Sequence, residues 1–313
     1  MNFSDYSLFG VSAALQSAIS CGLLDELWRG PGTSAELARR ANCDSYATER
    51  VLEVLLATGT LARTGDRYAL SDRLSEAVGR GPGGWPGFQA LWAHTPEFLR
   101  SGTRLRSMDG SGAQRSEEYS GTVSGLGELF NGAAALLSKR LPARRQILDV
   151  GAGSGVWSLA MLVAALDARL TALDFEAVLP NFRARAERLG LLERVQVFPA
   201  NFHDFTIDQR FDRVVLANVL HLESEAGADA LVARSARLVI PEGDIVVIDV
   251  LDELGRDVAY AAYGLHLAMR TQGGRAHPGS FLRASLKRAG FQNVERIDLS
   301  SEVEGLGALL ATR

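Results

Sequence analysis

The chain has little of what an exported, metal-binding or nucleic-acid-binding protein requires. Only two of its 313 residues are cysteine, Cys21 and Cys43, and they form no C-x-x-C pair. That is too few for a disulfide framework, so the expectation is two reduced thiols used for packing in a cytoplasmic protein. The first twenty residues contain Asp5 and neither Lys nor Arg, and the apolar run from Leu8 to Leu15 is broken by Ser and Gly; this is not the pattern of a signal peptide. No uncharged stretch reaches the roughly 18 apolar residues of a membrane helix. The five histidines, with the cysteines and carboxylates, make no cluster at metal-ligand spacing, so no metal is expected. Positive charge is not in excess either: 33 Lys and Arg stand against 37 Asp and Glu, a formal net charge of −4. A general nucleic-acid binder needs a basic surface, so small-molecule substrates fit better.

What is present points to a globular enzyme. The length suits about two domains, and 47% apolar with 22% charged residues is ordinary for a folded chain. The most informative stretch is Ile147-Leu148-Asp149-Val150-Gly151-Ala152-Gly153-Ser154-Gly155, followed by a helical pattern and then by Leu170-Thr171-Ala172-Leu173-Asp174. It reads as strand, glycine turn, helix, strand. Such a turn lets the backbone approach a ligand closely and aims free helix amides at an anionic group. Asp174 follows Gly151 by 23 positions, near the roughly 20-residue spacing at which a carboxylate meets ribose hydroxyls. The glycines fall as G-x-G-x-G, with Val156 where a dinucleotide fingerprint has its last glycine, which disfavours a pyrophosphate.

Strands and helices alternate from residue 147 onward, so an α/β domain with a mainly parallel sheet is expected. Its third to fifth strands are Val195–Pro199, Asp212–Leu216 and Ile245–Val250, and Phe291–Leu299 with Gly305–Thr312 make a last antiparallel pair. Upstream, Phe9 to Leu27 has apolar residues at helical spacing, as a helix pair or one bent helix. Thr33-Ser34-Ala35-Glu36 is a capping-box pattern. Ser45 to Ala57 is a further helix, and Leu61 to Leu70 reads as a hairpin around Thr64-Gly65-Asp66. Helices followed by a hairpin make a winged helix. Charge argues against DNA as its partner: from Thr33 to Ser75 six acids (Glu36, Asp44, Glu49, Glu53, Asp66, Asp72) balance six arginines (39, 40, 50, 63, 67, 73). Gly79 to Gly87, with five glycines and two prolines, marks a connection, and helical patterns follow at Phe88–Leu105 and Leu126–Leu141.

The Asp-Val-Gly-Ala-Gly-Ser-Gly motif resembles the first motif of class I S-adenosylmethionine-dependent methyltransferases. The whole order resembles their dimeric small-molecule O-methyltransferases of secondary metabolism. The resemblance implies a Rossmann-like catalytic domain at 141–313, with a seven-stranded mostly parallel sheet whose last strand is antiparallel. It implies an all-α winged-helix dimerisation domain at 1–80, making a homodimer, and a helical region at 81–140 that covers the substrate chamber.

It further implies a cofactor set of Asp149, Gly151, Gly153, Gly155, Asp174, Phe175, Asn201, Phe202 and Asn218, with Asp149 on the cofactor's amino group directly or through water. Ala200-Asn201-Phe202 stands where the family has Gly-Asp-Phe; Asn201 keeps an acceptor for the adenine amino group. Val219-Leu220-His221 resembles the family's Val-Leu-His-Asp-Trp, which makes His221 the general base and Asp249 the acid that orients it. Leu222-Glu223 replaces the Asp-Trp. Gly273 to Pro278 matches Gly-Gly-Lys-Glu-Arg-Thr only in part, with Ala276 in place of a second histidine-supporting glutamate. His277 is either a compensating residue or plain loop. Trp92, His94, Phe98, Tyr119 and Phe130 are chamber-wall candidates or ordinary helix packing. Expected chemistry is methyl transfer to an oxygen of a small aromatic or polyketide-like acceptor. The alternatives are C- or N-methylation, a non-methylating reaction on the same pocket, a nicotinamide-dependent oxidoreductase, and a DNA-binding regulator.

Overall fold

A computed structural model describes residues 3–71, 84–105, 127–254 and 258–313. Tyr119 lies outside them, as do residues 79–83 of the connection expected at 79–87; its residues 84–87 instead open a helix, Gly84–Ala93. The chain divides into two compact units, Met1–Ala93 and His94–Arg313.

The first unit opens with α1 (Phe3–Ser20) and α2 (Leu23–Arg29), separated at Gly22 in the left-handed region (φ 72°). A helix pair, rather than one bent helix, therefore fills this stretch. β1 (Gly32–Thr33) leads into α3 (Ser34–Arg40), whose start carries both bonds of the capping box: Glu36 N–H donates to Thr33 Oγ1 at 3.2 Å and Thr33 N–H to Glu36 Oε2 at 3.0 Å. Asp44 caps α4 (Ser45–Ala57) through Ala47 N–H at 2.8 Å. β2 (Leu61–Thr64) and β3 (Arg67–Leu70) form the hairpin, and β1 adds to β3. Leu24, Leu37, Leu52 and Leu55 make the core of this unit. Cys43 is partly buried, but Cys21 is exposed, because it sits at the turn where α1 ends; it is not a packing residue. α5 (Gly84–Ala93) closes the unit, with Gln89 donating to Ser20.

The second unit begins with α6 (Thr95–Ser101). The single helix expected over Phe88–Leu105 is two helices, because Pro96 stands in the first turn of α6 and cannot continue α5 across His94. After a 3₁₀ turn at Gly127–Phe130 come α7 (Asn131–Arg140), β4 (Gln146–Val150), α8 (Val156–Ala164), β5 (Arg169–Asp174) and α9 (Leu179–Arg188). β6 (Val195–Pro199), β7 (Phe211–Ala217), α10 (Glu225–Ala236) and β8 (Val239–Val250) follow, then α11 (Val258–Ala268), α12 (Gly279–Arg288), β9 (Asn293–Asp298) and β10 (Leu306–Thr312).

The seven strands are ordered β6-β5-β4-β7-β8-β10-β9, with β10 antiparallel to both neighbours and the five strands β6 to β8 parallel. Successive strand residues face opposite sides of a sheet. Ile147, Leu170, Val215 and Val246 accordingly pack with α7, α8 and α9, whereas Leu148, Leu173, Val214 and Ile245 pack with α10 and α12. Both faces are covered, which is why these strands are apolar without alternation. Among the described residues no single helix is long and apolar enough to cross a membrane.

Candidate active site

The chain runs from β4 out to β5 and β6 on one side, then crosses to β7 on the other. The strand order therefore reverses at β4, and in open parallel sheets ligands bind in the crevice at the carboxyl ends of such strands. A cavity with about 1100 Å³ of empty space, part of it open to solvent, lies there, lined by the turn after β4, the ends of β5 and β7 and one face of α11.

The turn after β4 runs through Gly151 (φ 74°) and Gly153 (φ 54°). At Gly151 an added Cβ would sit 2.9 Å from Val219 Cγ2, so the position forbids a side chain on two counts. Gly155 (φ 71°) serves the fold instead: its Cβ would meet the Phe182 ring of α9 at 2.5 Å, and it does not line the cavity. Asp174 ends β5 almost wholly buried; its Oδ2 accepts from Gly153 N–H and its Oδ1 from Phe175 N–H, both at 2.7 Å. A carboxylate only accepts, which suits it to meeting a ligand hydroxyl. Phe175 and Phe202 meet edge to face at 6.0 Å between centroids and both line the cavity, as does Phe130, 5.5 Å from Trp157.

Asn218 is one of two described non-glycine residues at positive φ (53°), and it faces the cavity from the end of β7. Such strain concentrates at functional positions. Its side-chain oxygen accepts from Trp157 Nε1–H at 3.0 Å. Just beyond it, a 3₁₀ turn at Leu220–Leu222 places His221 in the same cavity. His221 Nδ1 lies 3.0 and 3.1 Å from the two oxygens of Asp249 near the end of β8, and both residues are buried. With Nδ1–H donated to the carboxylate, Nε2 is left as the basic nitrogen.

Several residues assigned from sequence stand elsewhere. Asp149 lies beneath the turn and outside the lining: Ser158 donates to its Oδ2, its Oδ1 is buried without a partner, and burial pushes its carboxyl up to about 7. Asn201 is exposed, and its side-chain oxygen accepts from His203 N–H at 3.0 Å. His94 is bonded to the Thr103 carbonyl at 2.7 Å, and neither it nor Phe98 reaches the cavity; Trp92 belongs to the first unit. His277 is buried away from the cavity, where Nε2–H donates to the carbonyls of Leu220 and Glu223, each at 3.1 Å. Burial keeps it neutral. With Arg275 N–H on the His221 carbonyl at 2.9 Å, it holds the turn that carries His221.

The sequence reading missed Trp157, Tyr263, His266 and Arg270, all of which line the cavity. The last three fall at i, i+3 and i+7, one face of a helix, and that spacing was the available signal. His266 is pushed down to about 3, first by burial and then by Arg270 and His221, so it is a neutral ring accepting from Arg270 at 3.4 Å.

These residues suit a nucleoside joined to an amino acid: a glycine-rich turn, a buried carboxylate at a strand tip, aromatic faces beside it, and beneath the turn a carboxyl with one oxygen, Asp149 Oδ1, that no donor reaches. Two family models match the chain, an O-methyltransferase dimerisation domain over residues 4–76 and a methyltransferase domain over 147–243. The tetracenomycin polyketide synthesis 8-O-methyl transferase of Streptomyces glaucescens is 25% identical over 306 residues, covering 92% of this chain and 90% of that protein. The 2,7-dihydroxy-5-methyl-1-naphthoate 7-O-methyltransferase of Streptomyces carzinostaticus is 28% identical, covering 82% of each. Human N-acetylserotonin methyltransferase, solved in complex with S-adenosylmethionine, shares the fold with a TM-score of 0.73 at 21% identity, over 99% of this chain and 96% of that one. A dimerisation domain and a methyltransferase domain in this order, on a seven-stranded sheet with one antiparallel strand, make the chain a member of the class I S-adenosylmethionine-dependent O-methyltransferases.

Proposed function

We propose that the enzyme methylates an oxygen of a small aromatic or polyketide-like metabolite, with His221 as general base and Asp249 orienting it. S-adenosylmethionine, when bound, supplies a methyl group already activated on a sulfonium. Asp174 would hold its ribose, the turn at Gly151 to Gly153 its amino-acid portion, and Phe175 and Phe202 would flank its base. What this chain must add is positioning and proton removal, and holding two reactants together supplies much of the rate. The acceptor hydroxyl loses its proton to His221 Nε2, and the imidazolium so formed is stabilised by Asp249. The observation that carries this reading is a buried histidine–carboxylate pair opening into the same cavity as the glycine turn. The acceptors named for the two Streptomyces relatives, a polyketide and a dihydroxynaphthoate, support the substrate class.

The first unit would make a homodimer. Its family match supports that role, as do Leu8 and Phe9 on α1, 61% and 70% exposed.

His221→Ala should lower kcat on a phenolic acceptor by about 10² to 10⁴, the usual worth of a general base. The dissociation constant for S-adenosylhomocysteine, measured by calorimetry, should stay within about twofold. Parent-like turnover in that variant would remove the base assignment.

A further inference from the structure

We infer that Tyr263 is a positioning residue for the base, acting through its hydroxyl on the His221–Asp249 pair. The inference rests on the reading of His221 as the base. Tyr263 lies on α11 and lines the cavity, with its hydroxyl 2.8 Å from His221 Nδ1 and 3.4 Å from Asp249 Oδ1. Its ring meets the His221 ring edge-on at 5.5 Å and stacks on His266 at 6.2 Å, so packing fixes where the hydroxyl points.

Hydrogen-bond bookkeeping then sets the direction of each proton. Trp157 Nε1–H occupies the Asn218 oxygen, which turns the Asn218 amide N–H toward the Tyr263 oxygen. With His221 Nδ1–H donated to Asp249 and, at 2.8 Å, shared with the Tyr263 oxygen, the Tyr263 proton is left for Asp249 Oδ1 at 3.4 Å. The opposite arrangement, with Tyr263 donating to Nδ1, would put a proton on Nε2 and leave no base facing the acceptor. Asp249 also accepts from Val250 N–H at 2.9 Å. The chain from Trp157 to Asp249 thus selects one histidine tautomer and links the cofactor side of the cavity to the base. Tyr263 itself stays protonated, since burial and the neighbouring Asp249 charge both hold it well above the usual phenol range. The other titratable or charged groups around His221 are His266 and Arg270 on the α11 side and the neutral His277 behind the turn.

Tyr263→Phe keeps the ring and its stacking and removes only the hydroxyl. The expected results are a kcat about tenfold lower, a dissociation constant for S-adenosylhomocysteine within twofold of the parent, and a parent-like melting temperature. Because Asp249 loses one donor and holds the imidazolium more tightly, the acid limb of the kcat/KM profile should move to higher pH by about half a unit. On an Asp249→Asn background the same substitution should leave the limb where it is. An acid limb that is unmoved or moves to lower pH, with kcat within twofold of the parent, would overturn the inference. His221→Ala in the same assay separates the two failures: if it is active the base reading falls, and if it is inactive while Tyr263→Phe is normal only the tyrosine assignment falls.

Discussion

At the scale of single residues, the site is built from groups whose surroundings change their chemistry. Asp149 is the clearest case, a carboxyl pushed up to about 7 by burial first and by the Asp174 charge as well, with only the Ser158 hydroxyl acting against that. A carboxyl raised in the folded state binds more protons folded than unfolded between its ordinary value of 3.8 and about 7. Its contribution is full below the lower value and is lost as pH rises through the upper one. Asp149→Asn keeps an acceptor for Ser158 and cannot ionise. Its melting temperature relative to the parent should therefore move in the variant's favour by several degrees as pH rises from about 5 to about 8. A constant gap across that range would show that Asp149 is not held protonated. The residues legible from sequence here, Gly151, Gly153, Asp174 and His221, all sit in short contiguous motifs whose spacing carries the chemistry. Tyr263 was not legible because its hydrogen-bond partners, His221 and Asp249, come from a turn and a strand far away in the chain. Trp157 lies within the helical pattern after the glycine turn, where nothing local tells of its bond to Asn218.

At the scale of elements, the parallel strands hold the crevice open because they are tied together beneath it. Arg213 on β7 and Asp244 on β8 are buried and joined by two bonds of 2.6 and 2.9 Å, and Arg144 from the loop before β4 adds a third at 2.8 Å. Removing one partner strands a buried charge, which costs on the order of 3–5 kcal/mol. Asp244→Ala should lose about that much stability in urea unfolding, while an Arg144→Ala change, at the more exposed end of the cluster, should lose about 1 kcal/mol or less. Equal losses would mean that burial is not what makes the cluster matter. The strands themselves were legible because double-sided burial leaves unbroken apolar runs. The apolar period runs on across His94, but Pro96 lacks the N–H that would continue the helix there, so one expected helix is two.

At the scale of the whole molecule, two units with separate cores divide the work. The first unit carries no excess of either charge from Thr33 to Ser75, which suits contact with a second copy better than contact with a polyanion. Substituting Phe9 by Asp should shift the particle measured by light scattering from dimer to monomer at micromolar concentration; a dimer of unchanged stability would place the interface elsewhere. The central claim is that the crevice above β4 and β5 receives S-adenosylmethionine. It is tested most directly by titrating S-adenosylhomocysteine into the parent and into Asp174→Ala in a calorimeter. The account predicts saturable one-site binding to the parent and an affinity at least about tenfold weaker in the variant, the worth of roughly 1.4 kcal/mol. Absence of heat with the parent, or equal affinity in both proteins, would contradict it.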